Sequence, residues 1–197
     1  MFEQYDLEQD LKEIEAMVAH LEPYLKSSEL YGNAGGGFFS KMPALTIGAI
    51  VMRLRRLEIL RPSLSSAQRE RFDKTKQAHQ TVYREWKSHY EKKILREAHS
   101  RLDAMRTFFE ECENDPRLCA QVYSPEVLRR TIVQEIVLYM REIDLADETL
   151  TTKMSGVDGR LRRYVRPNDF FWDKTIETAY PQADFWWLYH RPAGKER

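Results

Sequence analysis

Apolar residues at Leu7, Leu11, Ile14, Val18, Leu21 and Leu25 alternate spacings of four and three, the signature of one helix face. Asp6 followed by Gln9 has the form of a capping box in front of that run. Pro23 lacks an amide hydrogen, so the last turn is predicted to bend or end there. A second helix is predicted from Met42 or Pro43, with Ser40 as cap and Pro43 in the first turn. Ala44 to Met52 is apolar all round, the pattern of a helix wrapped by others. Beyond it Leu54, Leu57 and Leu60 are expected to face inward, and Arg53, Arg55, Arg56 and Arg61 outward.

The dominant pattern runs from Ser65 or Ser66 to about Asn114, without glycine or proline. Phe72, Thr75, His79, Val82, Trp86, Tyr90, Ile94, Ala98, Leu102, Met105, Phe109 and Cys112 form one stripe that advances 40 residues in 11 steps. That step is nearer the 3.6 of a straight helix than the 3.5 of a left-handed coiled coil. Fifty residues in one helix would span roughly 75 Å, against a radius of gyration of about 16 Å for a compact chain of this size. A projection or a bend is therefore expected, placed at the polar stretch Asp73 to Thr81. Asn114-Asp115-Pro116 should end the helix, and Ser124-Pro125-Glu126 should open another reaching about Ala146. Its apolar face is read as Leu128, Ile132, Ile136, Tyr139, Met140 and Ile143. Ser155-Gly156-Val157-Asp158-Gly159 reads as a turn, followed by an aromatic tail of short helices, with no strand expected. The fold class predicted is all-α: a bundle of about four main helices with one very long helix at about 65–114. It is drawn as a single domain over 1–197, with 1–150 as bundle and 151–197 packing on it.

Composition narrows the functions. Lys+Arg and Asp+Glu are equal at 31 each, so no global field recruits nucleic acid, and that partner class is disfavoured. The apolar run Ala44–Met52 is about half the ~20 residues of a membrane span. The N-terminus is acidic where an export signal is basic, which points to the cytoplasm. In that setting Cys112 and Cys119 are expected to be reduced thiols, with Cys112 a small core residue.

Candidate chemistry is sparse. Four of the eight glycines fall within Gly32–Gly37, but Gly32-x4-Gly37 is followed by Phe38-Phe39, so the lysine of a phosphate loop is missing. The plain reading is a flexible connection; the sharper one is a small-molecule pocket or enzyme site lined by Tyr31, Phe38, Phe39 and Arg53. No acidic residue stands three before any histidine, so the helix-borne metal pair of di-iron bundles is missing, and no metal or cofactor is expected. Arg160, Arg162, Arg163 and Arg166 form a second candidate, an anion patch, against the simpler reading of an ion-paired surface. Eight aromatic residues between Phe170 and Tyr189 are expected to fold back and seal the bundle or a partner copy.

The stretch Leu25-Lys26-Ser27-Ser28-Glu29-Leu30-Tyr31, then Pro43-Ala44-Leu45-Thr46-Ile47-Gly48 and the helix at Arg53-Leu54, resembles the opening of an uncharacterised bacterial helical family. The resemblance covers about a quarter of the chain. It implies a bacterial cytoplasmic protein and carries no activity. The leading expectation is a non-enzymatic interaction protein, self-associating or binding a protein partner through the long helix.

Overall fold

The computed structural model describes residues 4–35, 42–114 and 116–192, and these are α-helical with one small β-ribbon. They divide into two compact units, 4–97 and 98–192.

In the first unit, helix α1 (Leu7–Ala19) begins where the Asp6 carboxylate accepts the Glu8 and Gln9 amides at 2.9 and 3.1 Å. Leu11, Ile14, Met17 and Val18 form its buried face. The helix ends at His20, three residues before Pro23, and α2 (Leu21–Lys26) follows with Pro23 in its first turn. The break relieves the clash of the proline ring with the carbonyl four residues back. The long connection to the next helix is closed by a bridge in which Gly32 and Leu45 exchange both backbone hydrogen bonds at 2.9 Å.

Helix α3 (Ile47–Ile59) starts later than Pro43, because Thr46 is the residue that caps it, accepting the Ala49 amide at 3.1 Å. Residues Ile47 through Met52 are all buried, as an all-round apolar run requires. Arg53 and Arg56 depart from the expected outward direction: both are only 7 % exposed. They point at α1, where carboxylates wait, and a buried guanidinium is tolerable only with such partners.

The predicted long helix is two. Ser65 and Gln68 form a capping box that opens α4 (Ser66–Glu85), and α5 (Lys87–Asn114) follows after Trp86, whose φ of −112° and ψ of 28° leave the helical region. The bend therefore lies at Trp86, not within Asp73–Thr81. His79 Nε2 and Tyr90 Oη are 2.8 Å apart, and Tyr83 Oη donates to Glu91 at 3.2 Å. Eleven residues of straight helix would separate His79 and Tyr90 by about 16 Å, beyond the combined reach of the two side chains. The axis must turn sharply. The polar stretch stays helical because α4 buries only Phe72, Thr75 and His79, while Asp73 and Lys76 pair with Arg61 and Glu58. All twelve stripe residues are buried or, for Val82 and Trp86, half-buried.

In the second unit, α5 from Ala98 onward joins α6 (Pro116–Glu142) and α7 (Glu148–Tyr164). Helix α6 does not start at Ser124. It runs through Pro125, which sits on the solvent side, and Gln121, whose carbonyl loses its amide partner, is also exposed to water. Residues 130–136 are buried on every side, so α6 is the central helix of this unit. Leu128, expected inward, is 41 % exposed. A left-handed Asp144 (φ 56°) ends α6, with the Leu145 amide reaching back to Met140 O at 2.9 Å. Asp147 then caps α7 by accepting the Leu150 amide at 2.9 Å. The Ser155–Gly159 segment is helical rather than a turn; its two glycines lie inside α7 with nothing within 4 Å of where a Cβ would stand.

A strand was not expected, yet β1 (Val165–Pro167) and β2 (His190–Pro192) pair antiparallel, with Val165 opposite Pro192, Arg166 opposite Arg191 and Pro167 opposite His190. The aromatic tail between them, largely in 3-10 turns, buries Phe170, Phe171, Tyr180, Phe185 and Trp187. Trp187 lies against α6: its Nε1–H donates to Thr131 Oγ1 at 2.9 Å, and its carbonyl accepts from Tyr123 Oη at 3.1 Å.

Candidate functional site

Two of the residues proposed for the glycine loop, Phe38 and Phe39, lie outside the described residues. Tyr31 is 47 % exposed. Arg53 serves a different arrangement. Its Nη2 donates to Glu13 and its Nε lies 3.2 Å from Asp10, while Arg56 Nε donates to Asp10 at 2.8 Å. Burial pushes the Asp10 carboxyl upward, but Arg56 and Arg53 outweigh it and hold the group below the usual carboxylate range. This is a closed ion network that ties α3 to α1. Gly35 marks the loop's constraint: its φ is +76°, and a Cβ there would come within 2.7 Å of the His20 ring.

The arginine patch divides when its partners are traced. Arg160 is engaged, donating to Glu113 at 3.2 Å and lying 5.0 Å above the Phe109 ring. Glu113 also accepts from Tyr164 Oη at 3.0 Å, and these two contacts lower its pKa. Arg162 stacks 3.8 Å from the Trp186 ring. Arg166 Nη1 donates to the carbonyls of Val165 and Arg163 at 2.9 and 3.3 Å. Neither Arg162, Arg163 nor Arg166 is ion-paired with a carboxylate among the described residues. By contrast Arg130, buried in the same unit, holds Asp158 with two bonds of 2.7 and 2.9 Å while lying 3.9 Å above Trp187.

A cleft of about 250 Å³ opens where α6 meets α7. Val137, Met140, Leu145, Leu150 and Met154 form its apolar lining, and Arg141 stands at its rim. Asp147 borders it and is 3.0 Å from His99 Nε2. Hydrogen bonds from Thr149, His99 and the Leu150 amide stabilise the Asp147 carboxylate and push its pKa well below the ordinary value. A histidine oriented by a carboxylate can act as a base; Asp147 divides its oxygens between two tasks, Oδ1 accepting from Leu150 and Thr149 at the start of α7 and Oδ2 meeting His99.

The cysteines overturn the expectation of free thiols. Cys112 and Cys119 are joined in a disulfide that links the end of α5 to the start of α6. Seven residues is no metal spacing, yet a helix ending and restarting within that interval brings the two Cα atoms to 4.8 Å. Among the described residues no three His, Cys, Asp or Glu side chains group to hold a metal ion, and no helix is long and apolar enough to cross a membrane.

No family model matches the chain, and comparison with curated proteins and with solved structures returns no match. Sequence reasoning missed the disulfide, the His99–Asp147 pair and Arg191, which the ribbon sets opposite Arg166. Only the helix-end signal at Asn114–Pro116 could have hinted at the first; the others need the fold.

Proposed function

We propose that this chain is a non-enzymatic helical interaction protein, acting as an oligomer or on a protein partner. The observation that carries the reading is the engagement of its reactive side chains within the fold. The two cysteines are bonded to each other. His79 is bound to Tyr90, His99 to Asp147, His190 to the Trp186 carbonyl and His20 to the Ala16 carbonyl. Side chains held in this way stiffen a scaffold, and none of these contacts sets a histidine beside a serine or cysteine nucleophile. Because the apolar stripe of α4 and α5 is turned inward, a partner would meet their charged outer faces. A bacterial cytoplasmic setting belongs to the same reading; the disulfide weighs against it, since such bonds persist in oxidising compartments. Native mass spectrometry of the full chain over a range of concentrations tests the proposal. A dimer or higher species without added mass supports it. A chain that stays monomeric and carries a reproducible small-molecule mass overturns it, in favour of a ligand in the α6–α7 cleft.

A further inference from the structure

The α6–α7 cleft combines an apolar lining with two opposite charges. Val137, Met140 and Arg141 stand three and four apart on one face of α6, in its last turns. Leu150 and Met154, four apart, face the cleft from α7, and Glu148 borders it from the first turn of that helix. Arg141 and Glu148 are both exposed. Among the described residues, neither the Arg141 guanidinium nor the Glu148 carboxylate has an ion pair or hydrogen-bond partner. Each sign suits its own helix end, yet the two groups border one cleft without pairing with each other. Asp147 also borders it, but that carboxylate is committed to Leu150, Thr149 and His99. Glu142, at the end of α6, and Asp144, in the turn that follows, add negative charge in the same stretch.

This distribution decides between ligand classes. A lone carboxylate would meet Arg141 together with the repulsion of Asp147 and Glu148. A lone amine would meet Glu148 together with the repulsion of Arg141. A zwitterion answers both charges. We propose that the cleft binds a free α-amino acid with an aliphatic or thioether side chain. Its carboxylate sits on the Arg141 guanidinium, its ammonium on Glu148, and its side chain among Val137, Met140, Leu150 and Met154. An apolar pocket with a few convergent polar groups is the usual form of a small-molecule site, and guanidinium–carboxylate bonds are among the stronger hydrogen bonds. Size agrees. A cavity of about 150 Å³ takes one benzene, about 25 Å³ per non-hydrogen atom, so about 250 Å³ suits a molecule as large as leucine, isoleucine or methionine. Ammonium and carboxylate share one carbon only in the free amino acid, which sets aside a peptide terminus. The inference goes beyond the oligomer reading and does not depend on it.

The test titrates the full chain, labelled at its methionine methyl groups, with L-leucine at constant pH and ionic strength. Saturable shifts of the Met140 and Met154 methyl signals are expected, with the buried Met17, Met52 and Met105 signals unmoved. Arg141→Gln and Glu148→Gln, both at exposed positions that leave the fold intact, should each weaken binding about ten-fold. Lys174→Gln, which does not line the cleft, should leave it unchanged. N-acetyl-leucine lacks the ammonium, leucinamide lacks the carboxylate and glycine lacks the side chain, so each should bind more weakly than leucine. Shifts that never saturate, or that spread equally to the reference methionines, overturn the proposal. So do Arg141 and Glu148 variants that bind like the parent, and analogues that bind as well as leucine. A monomer that binds leucine upholds this site and overturns the oligomer reading; an oligomer indifferent to leucine does the reverse.

Discussion

The Glu97 carboxylate, wholly buried on α5, accepts the backbone amide of Gly48 at 2.8 Å, in the first turn of α3. Four residues earlier on the same helix, Lys93 Nζ donates to the carbonyls of Tyr24 and Ser27 at the end of α2. One helix thus places an anion at the start of α3 and a cation at the end of α2, each matching the local dipole. Removing the anion orphans a buried donor and leaves a cavity. Glu97→Ala should lower unfolding free energy by about 3 kcal/mol, and Glu97→Gln by about half as much. Urea denaturation of the full chain followed by circular dichroism measures both; an alanine variant as stable as the parent would refute the capping role.

Gly156 and Gly159 invite the opposite experiment. Both are inside α7, and a Cβ at either would meet nothing within 4 Å. Alanine restricts the unfolded chain and favours helix, so Gly156→Ala and Gly159→Ala should each stabilise by about 0.5–1 kcal/mol. A fall in melting temperature for either would mean that the segment is not helical in solution.

His79 gives the first unit a pH dependence. Burial pushes its imidazole down to about 4, from an ordinary value of 6.5. The folded state therefore binds fewer protons than the unfolded one between those values, and stability must rise with pH across that window. The contribution is fully present above pH 6.5 and lost as pH falls towards 4, about 3 kcal/mol in all. The protonated ring must leave its buried place beside Tyr90, which is bonded to it across the Trp86 bend. Comparing urea midpoints of the parent and His79→Gln from pH 7 to pH 4 isolates this term. The gap between the two should narrow or reverse on acidification, and a constant gap would rule out His79 as its source.

How far the sequence foretells this arrangement depends on the range of the interaction. The Phe72–Cys112 stripe and the helix start at Ser65 or Ser66 were legible because they depend on residues within one or two turns. The Trp86 bend was not: it contains neither glycine nor proline, and its ties are His79–Tyr90 and Tyr83–Glu91. Arg53 and Arg56 read as surface residues because their partner Asp10 is more than forty positions away. Pro125 and Gly156–Gly159 erred the other way, since strong punctuation marks sit in helices whose burial outweighs a local penalty. The arginine run at 160–166 was visible as composition. That Arg191 stands opposite Arg166 required the register of a three-residue ribbon, which no periodicity announces.

The Cys112–Cys119 bond bears on both stability and setting. It closes a short loop, with a sequence separation of seven, between the end of α5 and the start of α6. On the chain-entropy account such a loop stabilises by about 2.5 kcal/mol at room temperature. Both cysteines are buried, at 1 % and 3 % exposure, so reductants should act slowly on the folded chain and quickly on the unfolded one. Alkylation in denaturant without a reductant should leave both cysteines unmodified, and prior reduction should make both reactive, as read by intact-mass measurement. Cys112→Ser with Cys119→Ser should lower the urea midpoint by an amount matching the loss on reduction of the parent, since the same crosslink is removed. If both cysteines alkylate without reductant in protein purified under oxidising conditions, the thiols are free in solution, and the objection that the bond raises to a cytoplasmic setting disappears.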